Sequence, residues 1–290
     1  MTGSRNKMCD AKFVCVYASQ VAMCIGANRH KKLGEAAELM WRRLSPDTYD
    51  AALRRNGKRT EEEDIAELVQ TNPAVSQLVE DSFVACANSD DVAKQYDAAR
   101  GRLQAVSDLD AEARQLVCDT IKKNLYTTYG TLNETVVLSY VKNVLGLCCR
   151  TDSTFYKKQM GEIDGVPWYV GGKIDALSAD GKTVIEIKNR INRLFMRQTP
   201  VYERVQVQTY LELLGVPNGL LIECFTNEQG CVSSNVVHID RDPAMWAQDI
   251  MPKLKGFVSF LLNLIRNHSL QDKFLNSKRR THLVKQCMVT

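Results

Sequence analysis

The sequence predicts an α/β fold, a helical N-terminal half leading into an α/β core. Three observations predict it. Helical patterns with clear breakers fill most of residues 33–147. Short runs of alternating or continuous apolar character replace them from about residue 153. Helical patterns then recur singly among the strands, over 201–214 and 243–267, as in α/β layering.

Taken in order, residues 12–25 form an apolar run with Ser19-Gln20 inside it, and the basic turn Asn28-Arg-His-Lys-Lys32 follows. Helices are expected over roughly 33–45, 61–71, 74–87 and 90–106, punctuated by Pro46, Asn56-Gly57 and Asn72-Pro73. Another is expected over 109–125, and a separate one from near Gly130 to about Leu147. Residues 153–160, 167–178, 182–188, 219–225 and 235–239 read as strands, 201–214 and about 243–267 as helices. The expected organisation is a mostly helical region 1–110 with an acidic insertion at about 45–110, a core over 111–270, and a basic tail over 271–290.

Composition narrows the class. A length of 290 residues with 25% charged side chains is ordinary for a globular chain. No apolar run approaches the roughly 18 residues of a membrane span, so no membrane association is expected. The opening Met1-Thr-Gly-Ser-Arg-Asn-Lys7 has no hydrophobic segment followed by a cleavage site, so no secretory signal is expected. The ten cysteines are scattered without a CxxC pair, which reads as free thiols in an intracellular, reducing compartment, cytoplasm or nucleus. Net charge is +4, spread unevenly: 12 Lys/Arg against 5 Asp/Glu over 1–59, 3 against 12 over 60–110, and 6 against 1 over 266–290. Such a layout suits a protein that meets a polyanion with some faces only, and suits solvated helix faces equally.

The segment richest in chemistry is Gly171-Gly-Lys-Ile-Asp175-Ala-Leu-Ser-Ala-Asp180-Gly-Lys-Thr-Val-Ile-Glu186-Ile-Lys188. Asp180-Gly181 between two β-like runs signals a two-residue type I′ hairpin. That loop sets Asp175 opposite Glu186, Lys173 opposite Lys188 and Leu177 opposite Val184 on one face, with Ala176 against Ile185 on the other. Directly opposed Cβ atoms lie about 5 Å apart, where like charges repel. Two carboxylates so placed call for a divalent cation with oxygen ligands, or are ordinary charges of a solvent-facing strand. Lys188 shares their face and can orient or deprotonate a water.

Three further features support the first reading. Glu134 opens an apolar stripe with Leu138, Val141 and Leu145, so its carboxylate either joins the cation or complements the helix dipole from the first turn. Gln206 and Tyr210, at i and i+4 after the strand, share one helix face. Lys188, Arg190, Arg193, Arg197 and Arg204 against Glu203 make the exit from the strand basic, as a phosphate track requires.

Together these residues resemble the PD-(D/E)XK nuclease superfamily, and within it the lambda-exonuclease and YqaJ-type recombination nucleases. The family's G-x-x-x-E motif is similar to Gly130-Thr-Leu-Asn-Glu134, its central Asp to Asp175, and its E-x-K to Glu186-Ile-Lys188. Its helix with Ala-Gln-Val-Gln is similar to Val205-Gln206-Val-Gln208, and Gln206-Val-Gln-Thr-Tyr210 resembles the Q-x-x-x-Y of RecB-type domains. Tyr17-Ala-Ser19, with Lys12 seven residues earlier where the family has arginine, resembles its N-terminal patch. The resemblance covers about residues 12–30 and 130–225.

It implies a mixed sheet flanked by helices and metal-dependent hydrolysis of DNA phosphodiester bonds. Mg²⁺ is the implied metal, with Mn²⁺ as a substitute, held by Glu134, Asp175, Glu186 and the Ile187 carbonyl. Lys188, Gln206 and Tyr210 would complete the catalytic set. Lys12, Ser19, Lys173, Arg190, Arg193 and Arg197 would contact nucleic acid, Lys12 and Ser19 gripping a 5′-phosphate unless they are a surface lysine and a helix cap. A 5′ to 3′ exonuclease of recombination, replication or repair is the expected activity, with DNA as partner and RNA as the alternative. A homo-oligomer, or a single-strand annealing or binding protein, is the expected protein partner. An endonuclease with the same site and a non-catalytic nucleic-acid-binding or assembly protein are the rival expectations.

Overall fold

The computed structural model describes residues 12–86, 88–143, 145–191, 194, 198–227 and 232–288, the side chains of Ser89 and of 134–136 excepted. The chain begins with strand β1 (Val14–Tyr17) and helix α1 (Ala18–Cys24). Helices α2 (Leu33–Leu44), α3 (Pro46–Arg55), α4 (Glu61–Thr71), α5 (Pro73–Asp81), α6 (Ser89–Gln104) and α7 (Ala111–Asn143) follow. Then come strands β2 (Cys149–Thr151), β3 (Tyr156–Ile163), β4 (Val166–Gly172), β5 (Ala176–Ser178) and β6 (Thr183–Arg190), and helix α8 (Val201–Leu214). Strands β7 (Asn218–Thr226) and β8 (Val232–Asp240), a π-helical turn Met245–Ile250, and helices α9 (Met251–Arg266), α10 (His268–Asn276) and α11 (Arg280–Met288) complete it. The helix starts are chemically specified. Thr60 and Glu63 close a reciprocal capping box on α4, Asn72 caps α5 with Pro73 in the first turn, and Asn88 caps α6.

The mixed α/β fold expected from the sequence is what the chain adopts, with two sheets in place of one. The first has the order β1-β4-β3 and the second β2-β5-β6-β7-β8. β1 runs parallel to β4 and β6 parallel to β7, while the remaining pairs are antiparallel. Val14, Val16, Trp168 and Val170 turn one face of the first sheet into a core shared with α2, α9 and α11. The second sheet is covered on both faces. Val137 and Val141 of α7 pack over Ile185, Ile187, Leu220 and Ile222, and Val207, Tyr210 and Leu211 of α8 pack against Val184 and Leu221. Among the described residues no helix is long and apolar enough to cross a membrane, and the eight described cysteines are free.

Three expectations are corrected. The helices expected over 109–125 and from Gly130 are one helix, α7, which passes through Gly130 without a break. Its buried stripe is Val117, Ile121, Leu125, Tyr129, Asn133, Val137 and Val141, every fourth residue. Four residues turn about 400°, so the stripe drifts by roughly 40° per step around the helix. Its first four members lie in a core with α5 and α6, and the last two meet the sheet. Packing at both ends outweighs the roughly 1 kcal/mol that glycine costs inside a helix. The buried line therefore passes through Asn133, Val137 and Val141; Leu138 and Leu145, placed in the stripe by sequence, are partly buried beside it. Secondly, the strand expected over 167–178 divides, because β4 ends at Gly172 in one sheet and β5 begins at Ala176 in the other. Thirdly, residues 46–55 form α3 between two expected breakers, and residues 280–288 form α11. Leu283 and Val284 of α11 are buried, and Thr281 Oγ1 accepts from the Gly34 N–H of α2 at 3.2 Å.

Candidate active site

The β5–β6 hairpin keeps the expected register: Ala176 pairs with Ile185 and Leu177 with Val184. Its turn differs from the type I′ expectation. The Gly181 N–H donates to the Ser178 carbonyl at 2.9 Å, and of Asp180 and Gly181 only Gly181 has a positive φ, +72°. Asp180 instead accepts from the Ser178 hydroxyl at 2.6 Å and from the Lys182 N–H at 3.1 Å. Side-chain bonding thus fixes a wider turn with the same strand pairing.

Past Ala176 the ladder stops, because the chain crosses to the other sheet. Asp175 therefore does not pair directly with Glu186 as a strand neighbour. Its Oδ2 accepts from the Ile187 N–H at 2.6 Å, standing in for the acceptor that a longer β5 would have offered. Lys173, expected opposite Lys188, lies between the strands and is exposed. The departure from the ladder nonetheless leaves Asp175 beside Glu186, close enough for its charge to raise the Glu186 carboxyl.

Glu186 is 3% exposed. Its Oε1 accepts from Lys188 Nζ at 2.7 Å and from Gln206 Nε2 at 2.7 Å. Lys188 also donates to Gln206 Oε1 at 3.1 Å, and Gln206 reaches the Tyr210 hydroxyl at 3.4 Å. The second oxygen, Oε2, is buried without any hydrogen-bond partner. An unpaired buried carboxylate oxygen is costly, and this one marks where a cationic partner fits.

The ionisation of the cluster agrees. Burial pushes the Glu186 carboxyl up to about 7, Lys188 opposes the shift, and Asp175 adds to it. Burial also raises Asp175, against the pull of the Ile187 N–H and the Lys188 charge. Burial alone would lower the Lys188 ammonium, but the charge and hydrogen bond of Glu186, with Asp175 and Glu203 behind it, hold it above its ordinary value. Burial and the Glu186 charge push the Tyr210 hydroxyl well above its ordinary range, so it stays a neutral donor. Two desolvated acids beside one ammonium suit a hard divalent cation with oxygen ligands, for which Glu186 Oε2, the Asp175 carboxylate and the Ile187 carbonyl are the donors at hand.

Among the described residues no group of three or more His, Cys, Asp or Glu side chains gathers as a metal site. The third acid expected there, Glu134, has its side chain outside the described residues. Its helix lies beside the site strand, where Asn189 Nδ2 donates to the Gly130 carbonyl at 3.2 Å, one turn before Glu134. Arg193 and Arg197 also lie outside the described residues. Lys12 and Ser19 are both exposed, Ser19 in the first turn of α1. The neighbouring Ala18 and the Tyr210 ring approach Gly172 so closely that a β-carbon there would come within 3.2 Å and 2.9 Å of them.

Arg190 has a different setting from the open phosphate contact expected of it. Its guanidinium meets Glu203 at 2.6 and 2.7 Å and also Glu223, and both acids are buried. Asn235 Nδ2 takes the other Glu223 oxygen at 2.8 Å. In the sequence Glu203 stands as a lone acid in a basic stretch, and Glu223 has no assigned role. The signal for Glu223 was a charged residue inside the apolar run Leu220-Leu-Ile-Glu-Cys-Phe225, where a buried acid requires a cation.

No protein-family model matches the chain, and no curated protein matches its sequence. Several solved structures are similar. One is an alkaline exonuclease (LHK-Exo) from Laribacter hongkongensis, at 19% identity and a TM-score of 0.37 over 59% of this chain and 94% of that one. The same exonuclease in complex with dAMP matches at 18% identity and a TM-score of 0.38, over 63% and 90%. A phage-related exonuclease from Haemophilus somnus 129PT matches at 15% identity and a TM-score of 0.32, over 56% and 73%. The likeness is one of chain path, and the chemistry is read from the residues of this chain.

Proposed function

We propose that this chain is a metal-dependent nuclease of the PD-(D/E)XK type that hydrolyses DNA phosphodiester bonds, working as an exonuclease in recombination, replication or repair. The observation that carries the reading is the unpartnered Oε2 of buried Glu186, beside Asp175 and across the carboxylate from Lys188 and Gln206. Asp175, Glu186 and the Ile187 carbonyl would hold Mg²⁺, or Mn²⁺ in its place, with Glu134 of α7 as the proposed third acid. Such an ion, when bound, supplies Lewis-acid stabilisation of phosphoryl charge and lowers the pKa of water.

Lys188 carries an ammonium into the cluster, where it can donate to charge that develops on phosphoryl oxygens. Gln206 holds that ammonium with its carbonyl and Glu186 with its amide, so it fixes the distance between acid and base. Tyr210 contributes a neutral hydroxyl to the same face. Water attacks phosphorus, the bond to the leaving sugar oxygen breaks, and a phosphate monoester and a hydroxyl end result. Lys12, Ser19, Lys173, Arg193 and Arg197 are the proposed DNA contacts, with Lys12 and Ser19 at a terminal 5′-phosphate. Arg190, held by Glu203 and Glu223, shapes the base of the site.

The exonuclease form is supported by the lambda-type order of motifs and by the basic N-terminal patch. The test is digestion of end-labelled linear duplex and of closed circles, with and without Mg²⁺. Metal-dependent loss of linear DNA with intact circles is expected. Cutting of circles would make the chain an endonuclease, and no metal-dependent cleavage of either would overturn the reading.

A further inference from the structure

The face of the first sheet that turns away from the core has unusual chemistry for a surface. Among the described residues seven large hydrophobic side chains are exposed, and three of them share this face: Phe13 (46%), Tyr17 (38%) and Phe155 (44%). The period of two explains it. Val14, Val16, Trp168 and Val170 point into the core, so Phe13, Tyr17 and Tyr169 point out, and Lys157 joins them through its pairing with Gly171.

The rings form two linked pairs. Phe13 and Tyr169 meet edge to face at 5.9 Å, and Tyr17 and Phe155 at 5.7 Å. Gly171 between them is required, because a β-carbon there would lie 2.9 Å from the Phe155 ring. Cations interleave with the rings. The Lys157 ammonium lies 5.0 Å from the Phe13 centroid and 4.4 Å from that of Tyr169, and the Arg43 guanidinium lies 4.0 Å from the Tyr17 centroid. Lys12, at one end, is exposed. The carboxylate that shares the face, Glu162 opposite Pro167, sits at the far end of β4 from Asp175.

We propose that this face, built from Phe13, Tyr17, Phe155, Lys157 and Tyr169, is a stacking platform for an unpaired nucleic-acid strand entering or leaving the Asp175–Glu186–Lys188 site. Bases stack on aromatic rings whatever their identity, while interleaved cations meet the phosphates. A sheet face with exposed aromatics holds roughly two or three bases in this way. Continuity with the chemistry is direct: β4 carries the platform and runs on through Gly172 and exposed Lys173 to Asp175. The inference rests on the nuclease reading for its ligand class.

The test is fluorescence anisotropy of labelled oligodeoxyuridylate and oligouridylate with the whole chain in excess chelator, so that binding is read without cleavage. Phe155→Leu and Tyr17→Leu keep bulk but remove the ring. Each should weaken binding about tenfold, with an unchanged melting temperature. Lys157→Gln should lower the salt dependence of binding by about one phosphate contact. Comparison of the two oligonucleotides assigns the sugar. Three results would overturn the platform: unchanged affinity in the folded ring variants, equal weakening towards blunt duplex, or a wild-type dimer that becomes monomeric in Phe155→Leu without loss of oligonucleotide affinity. Failure of the nuclease reading is separate, since it is read from the digestion assay alone.

Discussion

Lys188 and Gln206 divide one carboxylate oxygen between them: both donate to Glu186 Oε1 at 2.7 Å, and Lys188 also donates to the Gln206 carbonyl at 3.1 Å. The other oxygen of Glu186 is thereby left for a different partner.

Lys188→Ala should leave the fold and metal binding in place and lower the cleavage rate by about 10²–10³-fold, the range for removal of one donor to developing charge. Single-turnover rates at saturating Mg²⁺ measure this. A near wild-type rate would show that the ammonium is only a counter-charge for Glu186.

Asp175→Asn and Glu186→Gln should each abolish cleavage while DNA binding is kept or strengthened, because a negative charge facing phosphate is removed. Calorimetric titration with Mg²⁺ is the check. Unchanged metal affinity in both variants would rule out these ligands.

The raised carboxyls predict how the metal-free protein responds to pH. Glu186 titrates near 7 in the fold and at its ordinary 4.5 when unfolded, so between these values the native state holds the extra proton. Stability from this group is therefore full below about 4.5 and is lost as pH rises through about 7. Asp175 acts in the same direction. Thermal melts in chelator should fall from pH 5 to pH 8, and saturating Mg²⁺ should flatten the fall. A metal-free melting temperature independent of pH over this window would contradict the ionisation described for the site.

If Lys12 and Ser19 form the proposed end pocket, they separate end recognition from random cutting. A terminal phosphate carries up to one more negative charge than an internal one, so a pocket that selects it needs a matching cation. Wild type should degrade 5′-phosphorylated duplex faster than 5′-hydroxyl duplex, and Lys12→Ala should erase most of that preference without changing Mg²⁺ affinity. Equal wild-type rates on both ends would remove the pocket.

What was legible in the sequence was what local periodicity fixes. α8 spans the expected 201–214, and the hairpin register followed from the spacing of its alternating residues even though the turn type did not. The gathering of Glu186, Lys188, Gln206 and Tyr210 followed from periods of two and of about 3.6. Contacts between distant segments were not legible. Gly130 read as a helix boundary because glycine's cost is local, while the packing that overrides it comes from α5, α6 and the sheet. Arg190 read as an open cation because Glu223 lies 33 residues away. The strand over 167–178 read as continuous because nothing in its pattern signals a change of sheet at Lys173.

Because one unbroken α7 supplies Val117, Ile121, Leu125 and Tyr129 to the helical core and Val137 and Val141 to the sheet that bears Glu186, the two regions share a structural beam. If the acidic helices over 60–110 were cut away, the exposed first half of that beam would fray towards the level of Glu134. The cost would be felt at the chemistry even if those helices never touch a substrate. Their place in the chain is then that of a brace: they hold rigid the far end of a lever whose near end packs on the strand that bears Glu186.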